Sequence, residues 1–598
     1  MQHKNNPHTF HIPVMGLAFT IDSPIKIAKY GISSVISIVD DVIIEKMNEY
    51  YSKKFEIPYK EISMKVEDYR AKRITSYLNT VDTIVKHKFE NLKNTYEEKS
   101  SELEKYIEML PDFSEIKKSF FKTIKNNTVK EDVQNWIHNN LKPGSIDVNI
   151  MTKLDKPNYH KNEQLPIEFN DAHAALRGFA NSNLESSIVL SAGMNPRLYS
   201  YIENFKDFFP SEEGSIRKKI ILKVSDYRSA LIQGKFLAKK GLWVSEYRIE
   251  SGLNCGGHAF ASEGYLMGPI LEEFKNNKKA LAQDIYTVLV EALKSKNKTI
   301  PNTALQLNIT VQGGVGTSEE HEFLLENYNV DSVGWGSPFL LVPEATTVDK
   351  ETIKTLEKAT EKELYLSNIS PLGVPFNSLK GNTNEILKNE RIAKNKPGSS
   401  CPKKFLASNM EYSKKPICTA SKKYQNIKLE ELKTQNLSNL EYKKKSDAIT
   451  TKACLCEGLS NAALIEYDME QKGEAQGVAI CPGPNMAYFS KEVTLKEMVH
   501  HIYGKANIIT TNNRPHMFIK ELAMYVNYFS NKVEEFKDSF TLKNEKYLKT
   551  FQHNLHNGIN YYHQLFSKFS ENKHALLEDL EHLKNELFEI KIPILEKV

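Results

Sequence analysis

LWVSEYRIESGLNCGGHAF, residues 242–260, begins as an apolar run and leaves it through Glu250, three glycines and His258. A plain turn needs one or two glycines at positive φ and no titratable ring beyond them. Two interpretations are open at this point. Either this is a long turn with an incidental histidine, or the end of a strand presents His258 to a bound molecule.

Seven other short apolar runs resemble this one and alternate with helical segments through the first 340 residues. Continuous apolar runs of this kind suit parallel strands that are buried on both faces. Eight strand-then-helix units predict the α/β class and a (β/α)8 TIM barrel. The predicted strands are 13–20, 32–39, 146–152, 187–193, 219–224, 242–247, 305–312 and 330–335.

Residues 41–142 interrupt this alternation after the second strand, because they are charged, helix-forming and far too long for one crossover helix. We expect a helical insertion beyond the barrel, which would be a lid, an oligomer surface or ordinary amphipathic packing. The chain after Gly504 also has a helical pattern. The predicted domains are a barrel (1–40 and 143–345), the insertion (41–142), a covering segment with cysteines (346–500) and a helical C-terminal region (501–598).

Composition excludes little for this chain of 598 residues, whose formal net charge is +5. Because it contains neither a run of about 18 apolar residues nor a signal-like start, we expect no membrane contact and a cytoplasmic location. The positive charge is concentrated in residues 391–450, with fourteen Lys or Arg against five Asp or Glu. Such a segment is either a solvated surface or a docking site for an acidic carrier or RNA.

The predicted strand ends carry the chemistry, since a barrel places its site in the loops after its strands. The seventh strand ends in Gly313-Gly314-Val315-Gly316, and the eighth continues into Gly336-Ser337. Backbone N–H groups can approach an anion closely at such loops, and a following helix adds its positive end. Two adjacent loops of this type predict a phosphate site.

These motifs together resemble the nitronate monooxygenase (2-nitropropane dioxygenase-like) family of FMN-dependent barrels. That family includes flavin-dependent enoyl-thioester reductases and NAD(P)H-dependent flavin oxidoreductases. The matching motifs are PVMG, VNIM, ESGLNCGGH, VQGGVG and, in a cysteine-bearing tail, CPGPNMAYF. The resemblance covers about residues 10–40 and 143–503. The chain departs from the family by inserting residues 252–255 before Gly-Gly-His and by placing Pro338 where the family has an arginine.

The resemblance implies bound FMN and a catalytic His258 that removes a proton next to an activating group, or donates one. The substrate would be a nitronate that is oxidised, or a thioester or other small molecule whose activated double bond is reduced with NAD(P)H. Lys223 would offset charge on the phosphate or near the flavin. The cofactor-binding residues would be Met15, Gly16, Asn149, Lys223, Glu250, Gly256, Gly257, Gly313, Gly314, Gly316, Gly336 and Ser337.

Other functions remain open from the sequence. One is a flavoprotein that docks and modifies a macromolecule, RNA or an acyl carrier, through its lysine-rich segment. Another is a flavin-free phosphate-binding barrel. The helical additions could also join two copies of the chain into a homo-oligomer.

Five of the six cysteines are concentrated in the tail, which favours a metal or redox site over structural disulfides. An iron–sulfur cluster takes four cysteines, although no ferredoxin spacing is present. Zinc or free redox-active thiols are the alternatives. The candidate ligands are Cys401, Cys418, Cys454, Cys456 and Cys481, while Cys255 is expected to be a packing thiol near the flavin.

Overall fold

A closed barrel of eight parallel strands forms the centre of the molecule in a computed structural model. The structure describes residues 6–95, 101–126, 130–152, 154–257, 263–469, 476–511, 513–537 and 540–593. In chain order the strands are β1 (Phe10–Ile12), β2 (Ser33–Ser37), β3 (Ile146–Ile150), β4 (Tyr159–His160), β5 (Glu163–Gln164), β6 (Ser187–Leu190), β7 (Lys219–Val224), β8 (Val244–Glu250), β9 (Asn308–Gln312), β10 (Ser332–Gly334), β11 (Leu364–Ser367) and β12 (Phe376–Leu379).

The barrel strands follow one another in the order β1, β2, β3, β6, β7, β8, β9 and β10, and β10 closes on β1. The pairs β4–β5 and β11–β12 are separate antiparallel sheets. The predicted TIM barrel is therefore confirmed. Seven of the eight barrel strands overlap the predicted runs. The prediction of a first strand at 13–20 is wrong, because β1 ends at Ile12, before Pro13, which has no N–H group to continue a ladder.

Helices surround the barrel and build the rest of the chain. They are α1 (Ser23–Ile27), α2 (Asp41–Lys54), α3 (Tyr69–Lys93), α4 (Glu102–Met109), α5 (Glu115–Asn126), α6 (Lys130–Asn140), α7 (Asp171–Ala180), α8 (Pro196–Tyr201), α9 (Tyr227–Ala238), α10 (Met267–Ser295), α11 (Ser318–Tyr328), α12 (Lys350–Glu357), α13 (Thr383–Ala393), α14 (Lys422–Lys433), α15 (Asn439–Thr450), α16 (Leu455–Glu466), α17 (Leu495–Ile502), α18 (Met517–Phe536), α19 (Leu542–Phe566) and α20 (Lys573–Glu589). Short 3₁₀ turns lie at Ala28–Tyr30, Ile167–Phe169, Ile202–Asn204, Lys206–Phe208, Ser337–Leu341 and Pro484–Tyr488.

The insertion after β2 is helical, as expected, and consists of α2 to α6. Its helix α3 contacts α1, α2 and α7, so it occupies the place of a barrel helix rather than forming a lid. Buried ion pairs hold it there: Arg70 and Arg73 both donate to Asp41, over 2.6 and 3.0 Å. The Tyr77 hydroxyl also donates to the carbonyl of Ile21 over 2.9 Å.

The C-terminal helices α18, α19 and α20 pack on each other, and α19 contacts the long barrel helix α10. Aromatic rings fill this interface, as in the stack of Phe518 on Tyr562 with ring centroids 4.9 Å apart. Both rings are buried. The region is therefore anchored on the barrel next to the loop that links β8 to α10. In the described ranges, no helix is both long and apolar enough to cross a membrane.

Candidate functional site

A layer of polar side chains forms the top of the barrel interior. Val35, Val189 and Ile221 pack together as a separate cluster, while their strand neighbours pack under the helices. Because side chains alternate along a strand, the residues two positions further share the inner face at the carboxyl ends. Those residues are Ser37, Ser191 and Lys223. Asn149 pairs with Ser37, Glu250 accepts a hydrogen bond from Lys223, and Gln312 pairs with Glu250, so all three belong to the same polar layer.

Glu250 is the centre of this layer and lies on β8 itself rather than in the loop after it. Its Oε1 accepts hydrogen bonds from Lys223 Nζ at 3.0 Å, Asn254 Nδ2 at 2.9 Å and Gln312 Nε2 at 2.7 Å. The Lys223–Glu250 pair is mostly buried, with side chains 14% and 21% exposed. The charge of Lys223 is thus already partnered, and three elements are fixed around one carboxylate.

Asn149 carries an unpaired acceptor in the same layer. Its Oδ1 is shielded from solvent and has no hydrogen-bond partner among the residues that the structure describes. Leaving such an oxygen unpaired costs roughly 1–3 kcal/mol. This cost is expected at a position that completes its hydrogen bonds with a ligand.

The glycines of the β9 loop (residues 313–317) have a cause that the sequence did not reveal. Gly313 and Gly314 adopt φ of +112° and +87°, and the inserted residues of the β8 loop (251–266) pack against them. A Cβ on Gly313 would lie 3.0 Å from the nitrogen of Asn254, and one on Gly314 would lie 2.7 Å from Leu253. A Cβ on Gly336 would lie 2.9 Å from that of Cys255. The chain's own β8 loop therefore requires these glycines, and phosphate binding by them stays a prediction.

Residues from the C-terminal part of the chain hold the carbonyl groups of the β9 loop. Arg514 donates to Gly314 O over 2.7 Å, Asn485 donates to Val315 O over 2.6 Å, and His501 Nε2 lies 2.9 Å from Gly316 O. In the described part of the chain, the N–H groups of Gly313, Gly314 and Val315 donate to no other residue. Adjacent N–H groups without an acceptor are of the kind that binds an anion, and anion binding at this loop stays a prediction.

A buried ion pair supports this arrangement. Arg514 makes a bidentate contact with Glu320, both bonds being 2.8 Å, and its Nε donates to Asn485 Oδ1 over 3.0 Å. Glu320 in turn accepts from the N–H groups of Gly316 and Met517. Burial alone would raise the pKa of Glu320, but the Arg514 guanidinium brings it below its usual value.

The β1 loop lies directly against the β8 loop. Met15 is fully buried, Gly16 adopts φ of +55°, and a Cβ on Gly256 would lie 2.6 Å from the carbonyl oxygen of Val14. Gly257 has φ of +112°, and its carbonyl accepts a hydrogen bond from Asn377 N, 3.4 Å away, in the covering strand β12. His258 lies outside the described residues, so its catalytic role stays a prediction.

The cysteines do not form the predicted five-ligand group. Cys481 lies beside Cys255, because the Cys255 thiol donates to the carbonyl of Cys481 over 3.4 Å. Burial raises the pKa of Cys255 to about 12. The other four lie as two contacting pairs, Cys401 with Cys418 and Cys454 with Cys456, and the two pairs are close enough to interact electrostatically. All six are buried and free. Within the described ranges, no group of three or more His, Cys, Asp or Glu side chains is arranged to hold a metal ion, so nothing supports the predicted iron–sulfur cluster.

Arg514, Asn485, His501 and Glu320 were not predicted from the sequence. One signal was present: Arg514 is the only arginine after Arg391, in a part of the chain that is rich in lysine. Arginine is chosen over lysine where a rigid bidentate contact is needed. The partner Glu320 lies about two hundred residues earlier and carries no local signal.

Comparison with known proteins gives weak likenesses. No protein-family model matches the chain, and no curated protein matches it. The enoyl reductase domain of MlnA from the macrolactin biosynthesis cluster of Bacillus amyloliquefaciens is 13% identical, over 75% of this chain and 89% of that one, with a TM-score of 0.32. Nitroalkane oxidase from Streptomyces ansochromogenes is 9% identical, over 84% and 96%, with a TM-score of 0.35. Likenesses this weak carry no argument, and the barrel is assigned from its own strand order.

Proposed function

We propose that the chain is an FMN-dependent oxidoreductase resembling the nitronate monooxygenases. The observation that carries the proposal is the polar upper layer of the barrel, where Asn149 Oδ1 is shielded and lacks a donor in the described structure. A flavin has N–H and ribityl O–H donors that would satisfy this oxygen. The residues at the carboxyl end of the barrel, called the barrel mouth below, therefore fit FMN.

The three free N–H groups of the β9 loop are the second support for the proposal. Gly313, Gly314 and Val315 would hold the phosphate, and α11 begins immediately afterwards with Thr317 as its cap. Met15, Gly16, Gly256, Gly336 and Ser337 line the adjoining loops and would complete the cofactor site. When bound, FMN supplies two-electron transfer to or from a carbon next to an electron-withdrawing group.

Glu250 and His258 would then act on the substrate side. Glu250 is held by three donors through one oxygen. Its second oxygen accepts no hydrogen bond from the described residues and would orient a bound molecule. His258, directly after Gly257, would move the proton, because its ordinary pKa is near neutrality. The substrate would be a nitronate that is oxidised, or an activated double bond, as in an enoyl thioester, that is reduced with NAD(P)H.

An absorption spectrum of the full chain, purified and then acid-treated, tests this proposal. We expect flavin bands and release of FMN, or binding of added FMN by protein that is purified without it. His258→Ala is expected to keep FMN and to lose at least a hundredfold in turnover. A colourless protein that binds no added FMN would contradict the proposal.

The lysine-rich helices α14 and α15 support a second proposal, the docking of an acidic carrier. Lys443 and Lys445 are exposed on α15, a helix that buries only Thr450. An acyl carrier could thus deliver a thioester to the barrel. This proposal depends on the surface of α15 and is independent of the identity of the cofactor.

A further inference from the structure

The β8 loop (251–266) is held at both of its ends by one side chain of the C-terminal region. Glu521 of α18 accepts a hydrogen bond from Ser251 Oγ over 2.6 Å at the start of the loop. Its other carboxyl oxygen accepts from the N–H of Met267 over 2.9 Å, directly after the loop. One carboxyl group therefore closes the base of the loop that contains Gly256, Gly257 and His258.

Further contacts from α18 and α19 surround this base. The Tyr525 hydroxyl accepts from Gly252 N over 3.2 Å, and the Tyr562 hydroxyl accepts from Gly268 N over 3.1 Å. Tyr562 also donates to Glu521 over 3.3 Å, and Asn554 Nδ2 donates to the carbonyl of Glu263 over 2.8 Å. The contacts thus lie on both described parts of the loop.

Close approach of α18 and α19 explains two glycines of the β8 loop. A Cβ on Gly252 would lie 2.8 Å from a ring carbon of Tyr525. Gly264 has φ of +82°, and a Cβ there would lie 2.6 Å from the carbonyl oxygen of Phe551. A side chain at either position would push the helices off the loop.

A carboxyl group is a costly residue at this position. Glu521 is 1% exposed, and no Lys, Arg or His of the described chain forms an ion pair with it. The titratable groups that face it are the hydroxyls of Tyr328, Tyr525 and Tyr562. Burial raises the pKa of Glu521 to about 7. If this position only packed helices together, an apolar side chain would stabilise the fold more than a buried carboxyl group. A carboxyl group at this position therefore indicates a positioning function.

We propose that Glu521 is a positioning residue that fixes both ends of the β8 loop, so that the C-terminal helices form part of the active site. The proposal rests on the proposed function for the catalytic role of the loop. The contacts of Glu521 with Ser251 and Met267, called the clamp below, do not themselves require FMN. The consequence of the proposal is that α18 and α19 set where Gly256 and Gly257 lie relative to the barrel mouth.

Hydrogen exchange of the full chain without FMN tests the clamp, using wild type, Glu521→Ala, Glu521→Gln and the control Glu534→Ala, an exposed glutamate of the same helix. Glu521→Ala should lower the protection of the amides of Gly252, Met267 and Gly268 at least tenfold. Strand β9 should be unchanged. Glu521→Gln, which keeps an acceptor for Met267, should restore most of the protection.

The pH dependence separates a positioning role from simple packing. Wild-type protection at the loop ends, corrected for intrinsic exchange, should fall about tenfold from pH 6 to pH 8.5, because opening exposes a carboxyl that ionises more readily in water. Glu521→Gln should show no such fall. The proposal would be overturned if the loop-end amides of Glu521→Ala were as protected as those of the wild type. It would also be overturned if their protection fell no more than that of the amides across α18 to α20.

Two further outcomes keep the test decisive. If Glu521→Ala does not fold, Glu521→Gln decides between the outcomes. Loop-end protection that does not change with pH, and that equals the wild-type protection at pH 6, supports the clamp. Protection that changes with pH as it does in the wild type overturns it. Absence of FMN from the wild-type protein would count against the proposed function and leave this exchange result standing.

Discussion

Two glutamates bind the β8 loop, one from the barrel and one from the C-terminal helices, and their surroundings differ. Glu250 meets a lysine and two amide groups and keeps contact with solvent. Glu521 meets two hydroxyls and one backbone N–H and is almost completely buried. Glu250 is part of an ion pair at the barrel mouth, whereas the surroundings of Glu521 disfavour a charge. Glu521 instead fixes the two ends of the β8 loop.

The same difference distinguishes the two regions as a whole. The barrel supplies polar groups that have no partner in the described part of the chain, such as Asn149 Oδ1 and the N–H groups of the β9 loop. The C-terminal region supplies groups whose hydrogen bonds are already completed within the protein, such as Arg514 with Glu320. The barrel mouth therefore keeps polar groups without partners among the described residues, whereas the C-terminal region holds the loops around it in position.

Removing Arg514 should have the largest effect on stability. Arg514→Ala leaves the buried carboxylate of Glu320 without its cation, and we expect a loss of about 3–5 kcal/mol in the free energy of unfolding. Urea unfolding measures this loss, and Arg514→Lys should be intermediate because it cannot make the bidentate contact. Arg217→Ala is the matched control, since its pair with Glu185 is exposed, and it should cost less than about 1 kcal/mol. Equal losses in both alanine variants would contradict a special role for Arg514.

Glu521→Gln should change how stability depends on pH. Burial raises the pKa of Glu521 from 4.5 to about 7, so between these pH values the folded protein binds more protons than the unfolded chain. Wild-type stability therefore falls as pH rises through this window and levels off above it. Relative to wild type, Glu521→Gln should gain about 2–3 kcal/mol between pH 5 and pH 8 in urea unfolding. A constant difference between the two proteins would show that Glu521 is not buried as an acid.

Asn149→Ala should weaken the binding of FMN at the barrel mouth without affecting the C-terminal contacts. The lost hydrogen bond corresponds to about 1 kcal/mol, or about fivefold to tenfold in Kd. Quenching of flavin fluorescence measures the affinity. Asn308→Ala, at the opposite end of the barrel on β9, serves as the control and should bind FMN as wild type does.

The smallest effect is expected on the surface of α15. Substituting Lys443 and Lys445 by glutamine should weaken the binding of an acidic acyl carrier only severalfold, because exposed charges are screened by salt. Binding at 50 and 300 mM salt measures the effect. Unchanged affinity and no salt dependence would exclude docking at this helix.

The fold could be predicted from the sequence because each barrel strand is a local apolar run that is independent of distant residues. The mouth was predicted in part for the same reason: Asn149, Lys223 and Glu250 lie at the carboxyl ends of their strands, and the barrel brings these ends together. The glycines of the β9 loop could be identified from the sequence, but their cause could not, since Gly313 meets Asn254 and Gly314 meets Leu253 only in the folded chain.

The C-terminal contributions could not be predicted because they depend on pairings across long sequence distances. Glu521 contacts Ser251 over 270 positions, and an isolated glutamate in an amphipathic helix normally indicates a solvated face. The cysteines show the opposite failure: their clustering in the sequence predicted one metal site. The fold places Cys481 beside Cys255, and the other four, although they are neighbours, form no metal-holding group among the described residues.

Hydrogen exchange with and without added FMN tests the central claim most directly, namely that the barrel mouth held by the C-terminal helices is a flavin site. We predict that FMN protects the amides of Gly313, Gly314 and Val315 together with those of residues 254–257, and leaves α14 and α15 unchanged. Protection that is absent from the β9 loop, or that appears only elsewhere in the chain, would contradict the account.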